Sequence, residues 1–153
     1  MVSWLVRLTL LAAVTMLLGA CTKPSVVSGP EPVALPGDSP AASLLASARE
    51  ARDRGELHAA GRYLERALDV QPGSALLYSE IAALRMDQGR AGVAEGLALR
   101  ALRNAPDSDP QWRAGLWTLI AEARTRQGRG DAAEQARRRV SELQASGTRG
   151  EAQ

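Results

Sequence analysis

Two segments of this 153-residue chain repeat each other at a spacing of 34 residues. The first, GELHAAGRYLERALDVQP, spans residues 55–72, and the second, GRAGVAEGLALRALRNAP, spans residues 89–106. Several pairs of identical residues lie 34 positions apart, among them Gly55 and Gly89, Ala60 and Ala94, Ala67 and Ala101, and Pro72 and Pro106. Glycine ends helices in the left-handed conformation, small residues let two helix axes approach closely, and proline ends a helix. A fixed period of this length therefore predicts stacked pairs of helices.

These positions resemble the tetratricopeptide repeat, in which one aromatic and several small residues recur at fixed places in two helices. The second copy matches the pattern at Tyr78, Ile81, Ala82, Gly89, Ala94, Ala98, Ala101 and Pro106. The first copy matches mainly in its second helix. A third copy, displaced by five inserted residues, matches at Trp117, Ile120, Ala121, Gly128, Ala133 and Val140. The resemblance implies an all-α protein, a short α-solenoid of three helical pairs over residues 43–145.

Caps and periodicity predict where the helices begin and end. Asp109 and Pro110 favour a helix start, because aspartate caps the first turn and proline fits the first helical position. Residues 146–153 show no periodicity and are predicted to form a disordered tail. The six helices are expected near residues 42–53, 57–70, 75–87, 91–104, 110–126 and 131–145.

The first 20 residues have the pattern of a secretory signal peptide. Residues 8–18 carry no charge and Arg7 precedes them, and the run is shorter than the roughly 20 apolar residues that span a membrane. The sequence LGAC at residues 18–21 resembles the lipobox of bacterial lipoproteins. This resemblance implies that the signal is removed and that Cys21 carries the lipid anchor. A secreted protein with a free thiol is the alternative.

The lipidated cysteine is predicted to begin a tether at residues 21–42. This segment holds five of the eight prolines, and such a sequence forms neither a regular helix nor a sheet ladder. Fully extended, it would reach about 70 Å. Its predicted role is to connect the membrane to the helical domain.

Charge and reactive residues argue against nucleic-acid binding and catalysis. Without residues 1–20 the chain keeps 18 of its 19 basic residues and all 17 acidic residues, a net charge of +1. That balance provides no electrostatic attraction to nucleic acid. The chain has one histidine, His58, and one cysteine, so a zinc site of the usual ligands is not expected. We predict no metal, no cofactor, no small-molecule substrate and no enzymatic activity.

In the tetratricopeptide family the first helix of each pair lines a concave face that binds protein partners. The repeat register places Leu45, Arg49, Arg52, Leu76, Ser79, Ala83, Met86, Asp87, Thr118, Glu122 and Arg126 on that face. The predicted partner contacts are Arg49, Arg52, Leu76, Ser79, Met86, Glu122 and Arg126, together with Trp112 from the inserted segment. Trp117 occupies the aromatic position of the repeat, and Trp112 lies about 140° away from it around the same helix. Trp112 therefore either packs on neighbouring helices or serves as a half-exposed anchor for a partner. The alternative for all of these residues is that they form a solvent-exposed helix face that binds no partner.

The combination of lipobox, proline-rich tether and short repeat array resembles the outer-membrane lipoproteins that activate bifunctional penicillin-binding proteins. The resemblance implies a protein-binding adaptor whose partner is a peptidoglycan synthase. Thr22, instead of aspartate, follows the cysteine, which under the lipoprotein sorting rule implies the periplasmic face of the outer membrane. Two other functions stay open from the sequence: a pilotin-like assembly factor for the secretin of type IV pili, and a structural component of an outer-membrane assembly complex.

Overall fold

The structure, a computed structural model, describes residues 34–150, with side chains up to Gly147. Six α-helices and no strands occur in this part of the chain. The helices are α1 (Pro40–Asp53), α2 (Leu57–Val70), α3 (Ala75–Asp87), α4 (Ala91–Asn104), α5 (Pro110–Arg126) and α6 (Gly130–Gly150). Each helix packs against the next along the chain, so that three helical pairs are stacked in sequence order. The predicted all-α solenoid of three pairs is confirmed.

The first helix of each pair begins at a side-chain cap. Proline occupies the first helical position of α1 and α5, where its missing N–H group would have no partner in the helix anyway. These caps satisfy backbone donors that the first turn leaves without an acceptor. The caps are Ser39, Ser74 and Asp109, whose side-chain oxygens accept backbone N–H groups at distances of 2.8–3.3 Å.

The turn inside each pair contains a glycine with a positive φ angle. The angles are 76° at Gly55, 72° at Gly89 and 73° at Gly128. In this left-handed conformation a side chain would be strained, and glycine is not. The repeated glycines therefore stand at the corners between helices.

The core between the helices is built mainly of alanine. Alanine leaves the helix axes close together, because its side chain is only a methyl group. Three larger side chains are almost fully buried, Leu77 and Leu84 on α3 and Ile120 on α5. Completely buried alanines include Ala51, Ala60, Ala67, Ala82, Ala94, Ala98, Ala101, Ala123, Ala133 and Ala136. The small repeat residues therefore lie at the helix contacts, as the 34-residue pattern predicts.

The folded unit begins earlier than the predicted end of the tether. Helix α1 starts at Pro40, and Leu35 packs against the core formed by α1, α2 and α3. The apolar segment at residues 8–18 and the predicted lipid site at Cys21 lie outside the described residues. No helix within residues 34–150 has the length and apolar content that a membrane crossing requires.

The last helix extends beyond the predicted boundary. Residues 146–150, predicted as part of a disordered tail, belong to α6. A Cβ atom at Gly147 would lie 3.7 Å from the Pro110 and Gln111 side chains at the start of α5. The insertion makes α5 17 residues long, and its partner α6 must be long enough to cover the added turn. Helix periodicity did not predict the extension of α6, because the residue that lies beside α5 here is Gly147, which has no apolar side chain to continue the pattern.

Candidate functional site

Ion pairs join α1 to α3 along the surface that carries most of the predicted partner contacts. Arg49 donates to Glu80, with Nε 2.9 Å from Oε1. Nearer the end of both helices, Arg52 donates to Asp87. The hydrogen bond from Arg52 to Asp87 raises the pKa of the guanidinium above its usual value, so that it stays charged. We call the surface formed by α1, α3 and α5 the first-helix face.

The same face continues from α3 to α5 through Arg126. Its Nη1 atom donates to the backbone oxygen of Met86 at 2.9 Å, and its Nη2 atom pairs with Glu122 one turn earlier in α5. The Met86 carbonyl lies in the last turn of α3, where carbonyl groups lack helical partners. Arg126 therefore connects the ends of α3 and α5.

These ion pairs limit what the charged part of the face can offer a partner. Arg49, Arg52 and Arg126 each have a carboxylate within the chain. Pairs exposed to this degree each stabilise a fold by about 0–1 kcal/mol. A charged group of a partner can replace an internal one at small cost, but the paired face adds little net attraction of its own.

An open groove of about 440 Å³ lies between α3 and the first half of α5. Gly115 has no side chain, and a Cβ atom there would have no neighbour within 4 Å, so the middle of the groove is open. The lining combines apolar surface with three polar side chains. We call it the α3–α5 groove; its lining residues are Ser79, Asp109, Gln111, Trp112, Gly115, Leu116 and Leu119.

Trp112 has one side in the core and one in this groove. Its indole packs against the cluster of Tyr78, Ala101, Ala105 and Leu116, and it is half-buried. Asp109 accepts a hydrogen bond from the Trp112 backbone N–H group at 2.8 Å, which fixes the first turn of α5. Both alternatives for Trp112, packing residue and half-exposed anchor, therefore describe part of its environment.

The structure separates the other predicted contacts into exposed and buried residues. Ser79 lines the α3–α5 groove, and its hydroxyl donates to the Leu76 carbonyl at 2.7 Å. Leu76 is half-buried against the first core cluster. Met86 and Leu45 are buried, with 4% and 5% of their surface exposed. Their placement on a partner-binding surface was wrong, because both side chains face the interior between helices.

Sequence reasoning missed a buried carboxylate, Glu95 on α4. It is 7% exposed and is the one buried charged residue in the described part of the chain. Arg124 and Arg129 donate to its two oxygens at 2.7 Å each, and Gln127 donates at 2.9 Å. These three donors come from the end of α5 and the turn that follows. Glu95 thereby holds the corner between α5 and α6 against α4.

The electrostatics of this cluster favour the ionised carboxylate. Burial raises the pKa of Glu95, but the hydrogen bonds from Arg124 and Gln127 outweigh burial, and the pKa lies below its usual value. Spacing gave no warning of this contact, since Glu95 and its partners are 29–34 positions apart in sequence.

Reactive side chains do not gather at any one place in the described helices. His58 lies exposed on α2. Among residues 34–150, no group of three or more histidine, cysteine, aspartate or glutamate side chains could hold a metal ion. The surface of the described helices offers instead grooves and ion pairs, among them the apolar α3–α5 groove and a basic groove beside α2.

Comparison with solved structures finds the globular C-terminal domain of P. aeruginosa LpoP. The two share 36% sequence identity and superpose with a TM-score of 0.65. The match covers 68% of this chain and 97% of that chain. No family model matches this chain, and no curated protein matches it.

Proposed function

This chain belongs to the LpoP family, and on that basis we propose that it is a lipid-anchored adaptor that binds and activates a peptidoglycan synthase of the penicillin-binding class. Membership agrees with the resemblance that its lipobox, tether and repeat array have to lipoprotein activators of these synthases. The observation that supports the proposal most is the match over 97% of the LpoP domain at 36% identity. It favours the activator over the pilotin-like and purely structural alternatives.

The α3–α5 groove is the part of the surface best suited to bind such a partner. Protein interfaces place aromatic and other apolar anchors in a central pocket and surround them with polar groups. Trp112 and Leu119 provide apolar surface here above the buried Leu116, and Ser79 and Gln111 provide polar groups beside it.

The adaptor acts from a membrane in this proposal. Cys21 carries the lipid, and the segment after it connects the anchor to the helical unit. Thr22 after the cysteine supports a place on the periplasmic face of the outer membrane. From there the helical unit reaches the synthase as a binding protein and performs no chemical step itself.

Replacing Cys21 by serine is expected to release the protein from the membrane. A serine hydroxyl cannot form the thioether bond that lipoproteins make with the diacylglycerol. Without acyl chains the protein loses the groups that would hold it stably in the membrane. Cell fractionation and labelling with a radioactive fatty acid measure the result. Unchanged membrane association and labelling of the variant would contradict the lipid anchor.

The soluble helical domain is expected to raise the rate of glycan polymerisation by the synthase several-fold. The helices of residues 34–150 contain their own cores, so a soluble protein that begins at residue 31 is suited to the experiment. The rate is measured in vitro with lipid-linked substrate while the domain is titrated against the synthase of the same organism. No increase at saturating domain, with binding demonstrated, would contradict the activator role. Absence of binding would contradict the partner itself.

A further inference from the structure

The basic groove of about 490 Å³ lies between α2 and the end of α3. Three of its lining side chains form a set that we call the first triad: Arg85, Gln88 and Arg90. Arg85 is the most buried, with 16% of its side chain exposed. Arg62 and His58 of α2 also line the groove.

The first triad has an internal counterpart in the third repeat. The turn glycine Gly89 gives the reference point: Arg85 lies four residues before it, Gln88 lies one residue before it, and Arg90 follows it directly. The same three residue types occur at the same positions around the next turn glycine, Gly128. We call Arg124, Gln127 and Arg129 the second triad. All three of its members donate to the carboxylate of Glu95, at 2.7–2.9 Å.

A carboxylate at the position of Glu95 is missing at the first triad because of a single residue. Gly61 of α2 occupies the position of Glu95 of α4, since the two lie six residues after Gly55 and Gly89. A Cβ atom at Gly61 would be 3.6 Å from Leu84 Cδ2 and 3.8 Å from Arg85 Nη1. This position therefore faces the first triad, and the absent side chain leaves the groove empty of an acceptor there.

The donors of the first triad are incompletely used within the described chain. Arg85 Nη1 donates to Gln88 at 2.9 Å, Arg85 Nη2 reaches Glu65 at 3.3 Å, and Gln88 Nε2 donates to the Leu57 carbonyl at 3.4 Å. Glu65 is 63% exposed, so this is a weak surface pair. Arg90 has no carboxylate partner within residues 34–150 and is exposed. The groove lining thus contains three arginines, Arg62, Arg85 and Arg90, but only one carboxylate, Glu65.

We propose that this groove is a receptor for a carboxylate from outside the chain, supplied by an acidic side chain of the protein partner. The assignment to a partner rests on the proposed function, whereas the receptor itself rests on the internal repeat. The second triad shows which group these three residue types hold in this geometry. A single carboxylate in an open groove gains only a few charge-assisted hydrogen bonds, so it binds weakly unless a larger interface presents it.

The receptor and the α3–α5 groove share helix α3 but open on different sides of it. Ser79 lines one groove and Arg85 the other, about 9 Å apart along the helix axis and about 120° apart around it. A standard interface buries about 800 Å² on each side, and only one that continues around α3 includes both. An acidic side chain at the edge of such an interface would meet the arginines of the first triad.

Gly61→Glu tests the receptor without any partner. The matched control is Gly61→Gln, which has nearly the same size and helix propensity but no charge. If the first triad accepts a carboxylate, the glutamate variant of the soluble domain should melt about 3 °C above the glutamine variant at neutral pH. Arg90→Gln in the same background should remove at least half of that difference. A glutamate variant no more stable than the glutamine variant would overturn the receptor.

A second measurement uses the unaltered domain and does not depend on how Gly61 variants fold. A capped Ala-Glu-Ala peptide and its Ala-Gln-Ala counterpart are titrated while NMR follows the Nε–H signals of Arg85 and Arg90. The glutamate peptide should shift these signals and the glutamine peptide should not. Equal effects of the two peptides, or no effect of either, would overturn the receptor.

Binding to the synthase then tests the origin of the carboxylate. Gly61→Glu should weaken binding about tenfold relative to Gly61→Gln, because the internal carboxylate occupies the receptor. Equal binding of the two variants would overturn the assignment to the partner. If the unaltered domain responds to the glutamate peptide but binds no synthase, the proposed function fails and the receptor stands.

Discussion

Glu95→Ala is expected to lower the free energy of unfolding by about 3 kcal/mol. The substitution leaves Arg124 without its carboxylate, in a place where 15% of the arginine side chain is exposed, and with only the Ala132 carbonyl as an acceptor. It also removes one of the two acceptors of the Gln127 amide and the ion pair with Arg129. Removing one member of a buried pair is more damaging than removing both, because the remaining charge stays desolvated. Urea denaturation of the soluble domain measures the change.

The matched control is Glu122→Ala. Glu122 pairs with Arg126 within α5, and both side chains are about half exposed. Its replacement should cost less than about 1 kcal/mol. If the two alanine variants are equally stable, Glu95 does not fix the corner between α5 and α6. The second triad would then be no evidence that these three residue types bind a carboxylate favourably.

Acid should reproduce the effect of the Glu95 substitution. The donors of Arg124 and Gln127 hold the folded-state pKa of Glu95 below its value of 4.5 in an unperturbed carboxyl. A carboxylate whose pKa is lower in the folded state stabilises fully above the unfolded value and loses that contribution as the pH falls through the folded value. Stability of the unaltered domain should therefore fall below a pH of about 4.5 more steeply than that of Glu95→Gln.

The sequence was sufficient to predict the helices, because their boundaries depend on local chemistry. Gly55, Gly89 and Gly128 mark corners through their own backbone conformation, and Asp109 and Pro110 mark the start of α5. The repeat adds a second constraint, since a residue that recurs every 34 positions must fit the same place in each pair. Fold and register follow from these constraints without knowledge of any partner.

The surface was harder to predict, because a repeat register gives a residue's position on a helix but not its depth. Met86 occupies a position assigned to the surface, yet the contact with Ala91, Ala94 and Ala123 buries it. Arg49 and Arg52 occupy surface positions correctly, but their carboxylate partners are 31 and 35 residues away. Such pairings depend on how helices from different repeats are placed, and no local spacing encodes them.

The two triads have the same residue types and spacing but different surroundings in the folded chain. Neither Arg85 nor Arg124 is distinctive in the sequence, which contains many arginines. In the folded chain the second triad holds Glu95, and the equivalent position beside the first triad is Gly61. The same pattern of donors therefore binds an internal carboxylate beside Gly128, whereas beside Gly89 it faces an open groove. Sequence alone could align the triads but could not show that the second one binds a carboxylate.

Gly115→Arg is expected to weaken binding of the synthase about thirtyfold and to reduce activation accordingly, if the partner uses the α3–α5 groove. The position has open space for a Cβ atom, and arginine is a better helix former than glycine. The variant should therefore be at least as stable as the unaltered domain, while its long side chain fills the groove beside Trp112. Binding measured by surface plasmon resonance, together with the polymerisation rate, tests the prediction.

Gly115→Ala separates blocking of the groove from changes in the helix. Alanine brings the larger gain in helix propensity but adds only a methyl group, so binding should stay close to that of the unaltered domain. Trp112→Ala is a weaker test, because the indole also packs against Tyr78 and Leu116 and its loss disturbs the core. Equal binding by the arginine and alanine variants of Gly115 would show that the partner does not enter this groove. The partner would then have to bind elsewhere on the first-helix face, by replacing the internal ion pairs, or on another surface of the domain.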